Sequence, residues 1–93
     1  MLKSKIKVLI ADDHSLMRQG LKQILELEED MEVIGLAVDG EDAIKKSQQL
    51  KPHVILMDIN MPKMNGIQAL RRLKDMGLDS KIIMLTIHED REY

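Results

Sequence analysis

The sequence predicts an α/β domain: an open parallel sheet of four strands in the order 2-1-3-4, with helices in the crossovers. Three observations point there. Short apolar runs alternate with helical periods, the first and third runs are apolar at nearly every position, and carboxylates stand directly after both of them. Continuous apolar runs suit strands covered on both faces, and right-handed crossovers limit the orders such strands can take.

The first run, Ile6 to Ala11, predicts a central strand. Met17, Leu21, Ile24 and Leu25 then recur at helical spacing while Arg18, Lys22 and Glu26 fall elsewhere, which predicts a helix from about Ser15 to Glu28. Glu32 to Val38 reads as a second strand, and Gly35 within it marks a weaker, edge position. Asp39 is a candidate N-cap ahead of Ala43, Ile44, Ser47 and Leu50, with Asp42 three residues on; Pro52 stops this short second helix. Val54 to Met57 predicts the other central strand. Asn65 caps a third helix carrying Ile67, Leu70 and Leu73, and Gly77 supplies the left-handed residue that ends it. The fourth run, Ile82 to Leu85, leads into Thr86.

Composition narrows the function classes. A chain of 93 residues with 44% hydrophobic content holds one domain, residues 1–93, near the size at which a single core becomes self-sufficient. The net charge is -2 and the basic residues are scattered apart from Lys45-Lys46 and Arg71-Arg72, so no basic stripe for nucleic acid is present. Without cysteine there is neither a disulfide framework nor a thiolate metal site. No stretch has the length of a membrane span or a signal segment, so a cytoplasmic location is expected. Tyr93 is the single aromatic residue, which argues against base stacking.

The acids carry the chemistry. Ligands of open parallel sheets bind outside the carboxyl ends of the strands where the winding reverses, and the 2-1-3-4 order brings Asp12, Asp13 and Asp58 to that place. Two carboxylates ~5 Å apart repel by about 3 kcal/mol at an effective dielectric near ~20, so the cluster calls for a cation. Mg2+ is the simplest one, held by the pair Asp12 and Asp13 and bridging to phosphoryl oxygens. Asp58, single and central, is then the candidate nucleophile toward phosphorus. Thr86, after the fourth strand, can donate a hydrogen bond to a phosphoryl oxygen.

Each residue also has a plainer reading. The Asp pair suits the start of a helix, Asp58 a turn, and Thr86 a strand end. Only the conjunction on one sheet edge favours chemistry. Pro62 and Gly66 suggest a backbone bent around a site, although a plain strand-to-helix connection explains them as well. His14, His53 and His88 lack metal-ligand spacing and are expected in solvated or structural roles. The eight methionines read as core filler.

At Asp12-Asp13-His14, Met57-Asp58-Ile59-Asn60-Met61-Pro62, Asn65-Gly66 and Met84-Leu85-Thr86 the chain resembles the receiver domain of bacterial two-component response regulators, in particular the NarL/LuxR-type branch. The resemblance covers essentially the whole chain. It implies a flavodoxin-like fold and phosphotransfer from a sensor histidine kinase to Asp58. It also implies Mg2+ at Asp12, Asp13, Asp58 and the backbone carbonyl of Asn60, with Thr86 as the switch hydroxyl. In that branch the receiver usually precedes a DNA-binding output domain, so DNA contact and transcription regulation are expected only through such a domain. The resemblance implies self-phosphotransfer and autodephosphorylation but no enzyme acting on separate substrates.

Two departures stand out. The family's fifth strand, with its phosphoryl-contacting lysine, and its last two helices are not in the 93 residues, so an incomplete receiver domain that associates with or exchanges into a second copy is expected. Ile87 stands where the family more often has a small residue, which is expected to alter phosphoryl lifetime. Two other functions compete: a Mg-dependent phosphohydrolase with an Asp nucleophile, and a receiver-like docking module that is never phosphorylated. The first usually separates its two acids by one residue, whereas Asp12 and Asp13 are adjacent.

Overall fold

The strands form where the apolar runs lie, and together they make a four-stranded parallel sheet of order β2-β1-β3-β4. A computed structural model of the chain describes residues 4–61 and 64–85. Its elements are β1 (Ile6–Ala11), α1 (Ser15–Leu25), β2 (Met31–Ala37), α2 (Gly40–Leu50), β3 (Val54–Asp58), α3 (Gly66–Asp75) and β4 (Lys81–Leu85). The fold class and strand order are those predicted. The expectations for Pro62, Thr86, Ile87 and His88 lie outside the described residues.

Strand pairing fixes what faces what. β1 runs beside β3 with Val8 opposite Val54 and Ala11 opposite Met57, and β3 runs beside β4 with Asp58 opposite Leu85. The edge strand β2 carries one extra residue, because Val8 pairs with Val33 while Leu9 pairs with Gly35. Ile34 is therefore a bulge, a common device at sheet edges. One sheet face, through Leu9, Ile55 and Met57, packs with Ala43, Ala69 and Leu73 of α2 and α3 into the main core. On the other face Val8 and Ile10 are buried, yet α1 has no fully buried residue of its own. Ile83, on that same face of β4, is 50% exposed, and β4 pairs on one side only among the described residues.

Helix boundaries follow local chemistry. α1 stops at Leu25, three residues before the expected end at Glu28. Leu27 and Glu28 donate to Ile24 and Leu25, tightening the chain into i to i-3 bonds. The acids Glu26, Glu28 and Glu29 are unfavourable at the negative end of a helix, so the α-helical pattern gives out there. β2 ends at Ala37 because the next amide, Val38 N–H, is taken by Asp42 Oδ2 at 3.0 Å. The side chain of Asp39 accepts from Asp42 N–H at 2.8 Å, as its spacing suggested. Lys51 supplies a left-handed cap at φ 50 before Pro52.

α3 has the most complete ends. Asn65 Oδ1 accepts from Gln68 N–H at 2.9 Å, while Gln68 Oε1 accepts from Asn65 N–H at 3.0 Å. At the other end Gly77, at φ 72, donates to Lys74 and Leu78 donates to Leu73, the two bonds of a Schellman motif. Replacing Asn65 by alanine leaves the first-turn amides without this partner and is expected to cost about 1 kcal/mol, read as a lower urea midpoint at unchanged slope.

Candidate functional site

The carboxyl ends of β1 and β3 bring together the acids separated by more than forty positions in the chain. Asp12 follows Ala11 at the end of β1, Asp58 closes β3, and Asp13 and His14 lead into α1. One ligand atom from each of Asp12, Asp13, His14 and Asp58 lies within 4.8 Å of the others. The three predicted acids therefore converge, and an imidazole joins them. Asp12 and Asp58 are 1% and 3% exposed, whereas Asp13 faces solvent.

Backbone bonds hold the two buried acids in place. Asp12 N–H donates to Ala37 across to β2 at 3.0 Å, and Arg18 Nη1 from α1 donates to the Asp12 carbonyl at 2.7 Å. Asp12 Oδ1 accepts from His14 N–H at 2.8 Å, an Asx-type turn that sets the start of α1. Asp58 Oδ1 accepts from Asn60 N–H at 3.1 Å, which orients the carboxylate. Ile59 N–H donates to Leu85, and Gly66 N–H donates back to Ile59, so the chain past Asp58 is tied to both β4 and α3.

Gly66 matters here for space. A Cβ on it would press on the Asp58 carbonyl oxygen and stand 2.9 Å from Ile59 Cα. Its φ is not positive, unlike that of Gly77, so room rather than a left-handed backbone requires glycine at this position. The sequence pointed to this glycine through backbone permissiveness. The physical reason is close approach of α3 to the end of β3.

For His14 the sequence reading expected a solvated or structural role. Its ring is 63% exposed, but Nδ1 lies 2.9 Å from Asp12 Oδ1 and 3.0 Å from Asp13 Oδ1. Its position two residues past Asp12, inside the Asx-type turn, is the signal that would have placed it. His53 has a structural role, its Nδ1 accepting from Lys7 N–H at 2.9 Å.

Electrostatics report a site short of positive charge. Burial pushes the Asp58 carboxyl above its ordinary 3.8; the Asn60 N–H opposes this, and the charges of Asp12 and Asp13 add to it. The His14 imidazole is raised above 6.5 first by its hydrogen bond to Asp12, then by the charge of Asp13. A raised imidazole stabilises the fold fully below pH 6.5 and ceases to do so as pH rises through its folded value. In chelator, the melting temperature of the wild type is therefore expected to exceed that of His14→Ala most at acid pH, with the gap closing above pH 6.5.

The donor set fits a hard divalent cation. Asp12 Oδ2 is buried and has no hydrogen-bond partner among the described residues, and the surrounding acids offer oxygen donors. An orphaned buried carboxylate oxygen is costly unless an ion satisfies it. The predicted carbonyl ligand, Asn60, lies two residues past Asp58, just beyond the end of β3, and in the sequence the predicted hydroxyl, Thr86, directly follows Leu85, the β4 partner of Asp58.

Known proteins resemble this chain in sequence and in fold. The sequence profile described as response regulator receiver domain matches residues 8–93. The transcriptional regulatory protein DegU of Brevibacillus brevis is 47% identical over 90 residues, covering 97% of this chain and 38% of DegU. A protein-glutamate methylesterase/protein-glutamine glutaminase of Caldanaerobacter subterraneus is 53% identical over 76 residues, covering 82% of this chain and 21% of that protein. The signal receiver domain of the putative regulator NarL from Mycobacterium tuberculosis superposes with a TM-score of 0.89 at 31% identity, over 95% of this chain and 71% of that one. The chain thus spans well under half the length of these two curated relatives.

Proposed function

This chain belongs to the response regulator receiver domain family, with relatives of the NarL/LuxR type, and we propose that Asp58 is its phospho-acceptor. The donor is the phosphohistidine of a sensor histidine kinase. An Asp58 oxygen attacks phosphorus, the phosphorus–nitrogen bond breaks, and its electron pair returns to the kinase imidazole, leaving an acyl phosphate on Asp58. The observation that carries this reading is Asp58 itself: a buried carboxylate at the end of a central strand, oriented by the Asn60 amide and grouped with Asp12 and Asp13.

Asp12, Asp13, Asp58 and the Asn60 carbonyl are the proposed ligands of Mg2+. That ion supplies charge stabilisation for the oxygens of the transferring group. Asp12 is held by its own N–H on the Ala37 carbonyl of β2 and by the His14 N–H on its Oδ1, and Asp13 presents the more open oxygen. Thr86 donates its hydroxyl to the phosphoryl group once it is on Asp58. The new charge, set between β3 and β4, shifts the population of a second conformation that the output reads.

The output is transcription regulation through DNA, carried by a separate output domain; that one relative is named a transcriptional regulatory protein supports the regulatory part of this reading. The receiver is read as a phosphorylated signalling module of the cytoplasm and not as an enzyme acting on separate substrates. No helix among the described residues is long and apolar enough to cross a membrane.

The test uses Mg2+ and a small phosphodonor such as acetyl phosphate, followed by intact mass. The chain is expected to gain one phosphoryl group with Mg2+ and none with chelator. Steady turnover of a generic phosphate ester would instead favour a phosphohydrolase, and absence of Mg2+ binding would favour a docking module.

A further inference from the structure

We propose that His14 makes this cluster a mixed nitrogen–oxygen site that takes a divalent transition ion of the Ni2+, Co2+ or Zn2+ class through its imidazole Nδ1. The inference rests on reading the acids as a divalent-cation site. It concerns a ligand that an all-oxygen Mg2+ site does not use.

The geometry is close to ready. Nδ1 stands 2.9 Å from Asp12 Oδ1 and 3.0 Å from Asp13 Oδ1. Adjacent ligands of a six-coordinate ion with bonds near ~2.1 Å are about 3.0 Å apart. The three atoms can therefore serve as neighbouring ligands with little rearrangement of their mutual spacing. Asp12 Oδ2, buried and without a partner among the described residues, is an independent sign of an unmet charge at this place. The ring itself is largely exposed, so an ion can reach Nδ1 from solvent, where it takes the place of the proton that Nδ1 shares with the two carboxylates.

Chemistry then sorts the ions. Mg2+ is hard, dehydrates reluctantly and prefers carboxylate, carbonyl and water. Imidazole suits Ni2+, Zn2+ and Cu2+, and its loss should be felt by them and not by Mg2+. Since any carboxylate site binds Ni2+ more tightly than Mg2+, the diagnostic quantity is the change in that preference when the imidazole is removed. A transition ion held this way occupies Asp12 and Asp13 and so competes with Mg2+ for them.

The test titrates the wild-type chain and His14→Ala with Mg2+ and with Ni2+, each alone, with circular dichroism to establish that the variant is folded. The Ni2+ over Mg2+ preference is expected to fall by about tenfold or more in His14→Ala. Co2+ should give hyperfine-shifted imidazole ring protons in the wild type and in His53→Ala, and these should vanish in His14→Ala. An unchanged preference, or ring signals that survive in His14→Ala, would overturn the proposal while leaving the Mg2+ reading intact. If the wild type binds Mg2+ no better than an Asp12→Asn, Asp13→Asn double variant, the divalent-site reading itself fails with it.

Discussion

Replacing Gly66 by alanine is expected to destabilise the domain by about 1–3 kcal/mol and to slow labelling of Asp58 at the same time. The added methyl has nowhere to go. It meets the Asp58 carbonyl oxygen and Ile59 Cα, which are backbone, and the end of the Met84 side chain, which alone can move. Relief requires α3 to shift away from the end of β3, and that shift pulls on the Gly66 to Ile59 hydrogen bond that shapes the loop past Asp58. For a domain of this size each kcal/mol lowers the melting temperature by roughly 4–8 °C. Gly20→Ala is the internal control. Nothing lies within 4 Å of a Cβ at Gly20 in α1, so that change should stabilise the helix by about 0.5–1 kcal/mol. Equal effects at the two glycines would contradict the close-approach account.

Asp58→Asn should abolish phosphoryl labelling and yet, in chelator, melt higher than the wild type wherever the wild-type carboxyl is ionised. The sign follows from the raised carboxyl. Because Asp58 holds its proton more tightly when folded, its contribution to stability is present below pH 3.8 and is lost as pH rises through the elevated folded value. Above that folded value the wild type carries a buried, repelled anion, and the isosteric amide removes it. The stability gain of the variant should therefore be absent at acid pH, grow as the wild-type carboxyl ionises, and then level off. Mg2+ should narrow the difference, since it binds the folded wild type and offsets the same charge. A variant that melts lower where the wild-type carboxyl is ionised, or a gain independent of pH, would remove the electrostatic basis of the site.

Much of this was legible in the sequence where one local rule dominated. Asn65 and Gly77 bracket α3 as their chemistry requires, and Asp39 caps α2 through the amide three residues on. The central strands were visible because both faces are covered, which leaves almost no polar residue in β1 or β3 before the terminal acids. The end of α1 was harder. Its apolar stripe continues through Leu25, but the following glutamates oppose the helix dipole, and apolar periodicity carries no information about that.

The site was legible as three acids and less so as an arrangement. Strand order places Asp12, Asp13 and Asp58 together, and a sheet register was enough to foresee it. His14 escaped because its role comes from a turn closed by Asp12, a contact two residues long with no periodic signature. Gly66 was noticed for the wrong reason: its value lies in the distance between α3 and β3, which only packing reveals. Ile83, in an apolar run that reads as a buried strand, is half exposed on the face that α1 covers only in part.

The central claim, that Asp58 accepts the phosphoryl group, is tested most directly by locating the phosphate after labelling with Mg2+ and a small phosphodonor. Peptide mapping should place a base-labile phosphate on Asp58 in the wild type and find none in Asp58→Asn. A phosphate on His14 or any other residue, or undiminished labelling of Asp58→Asn, would contradict the account.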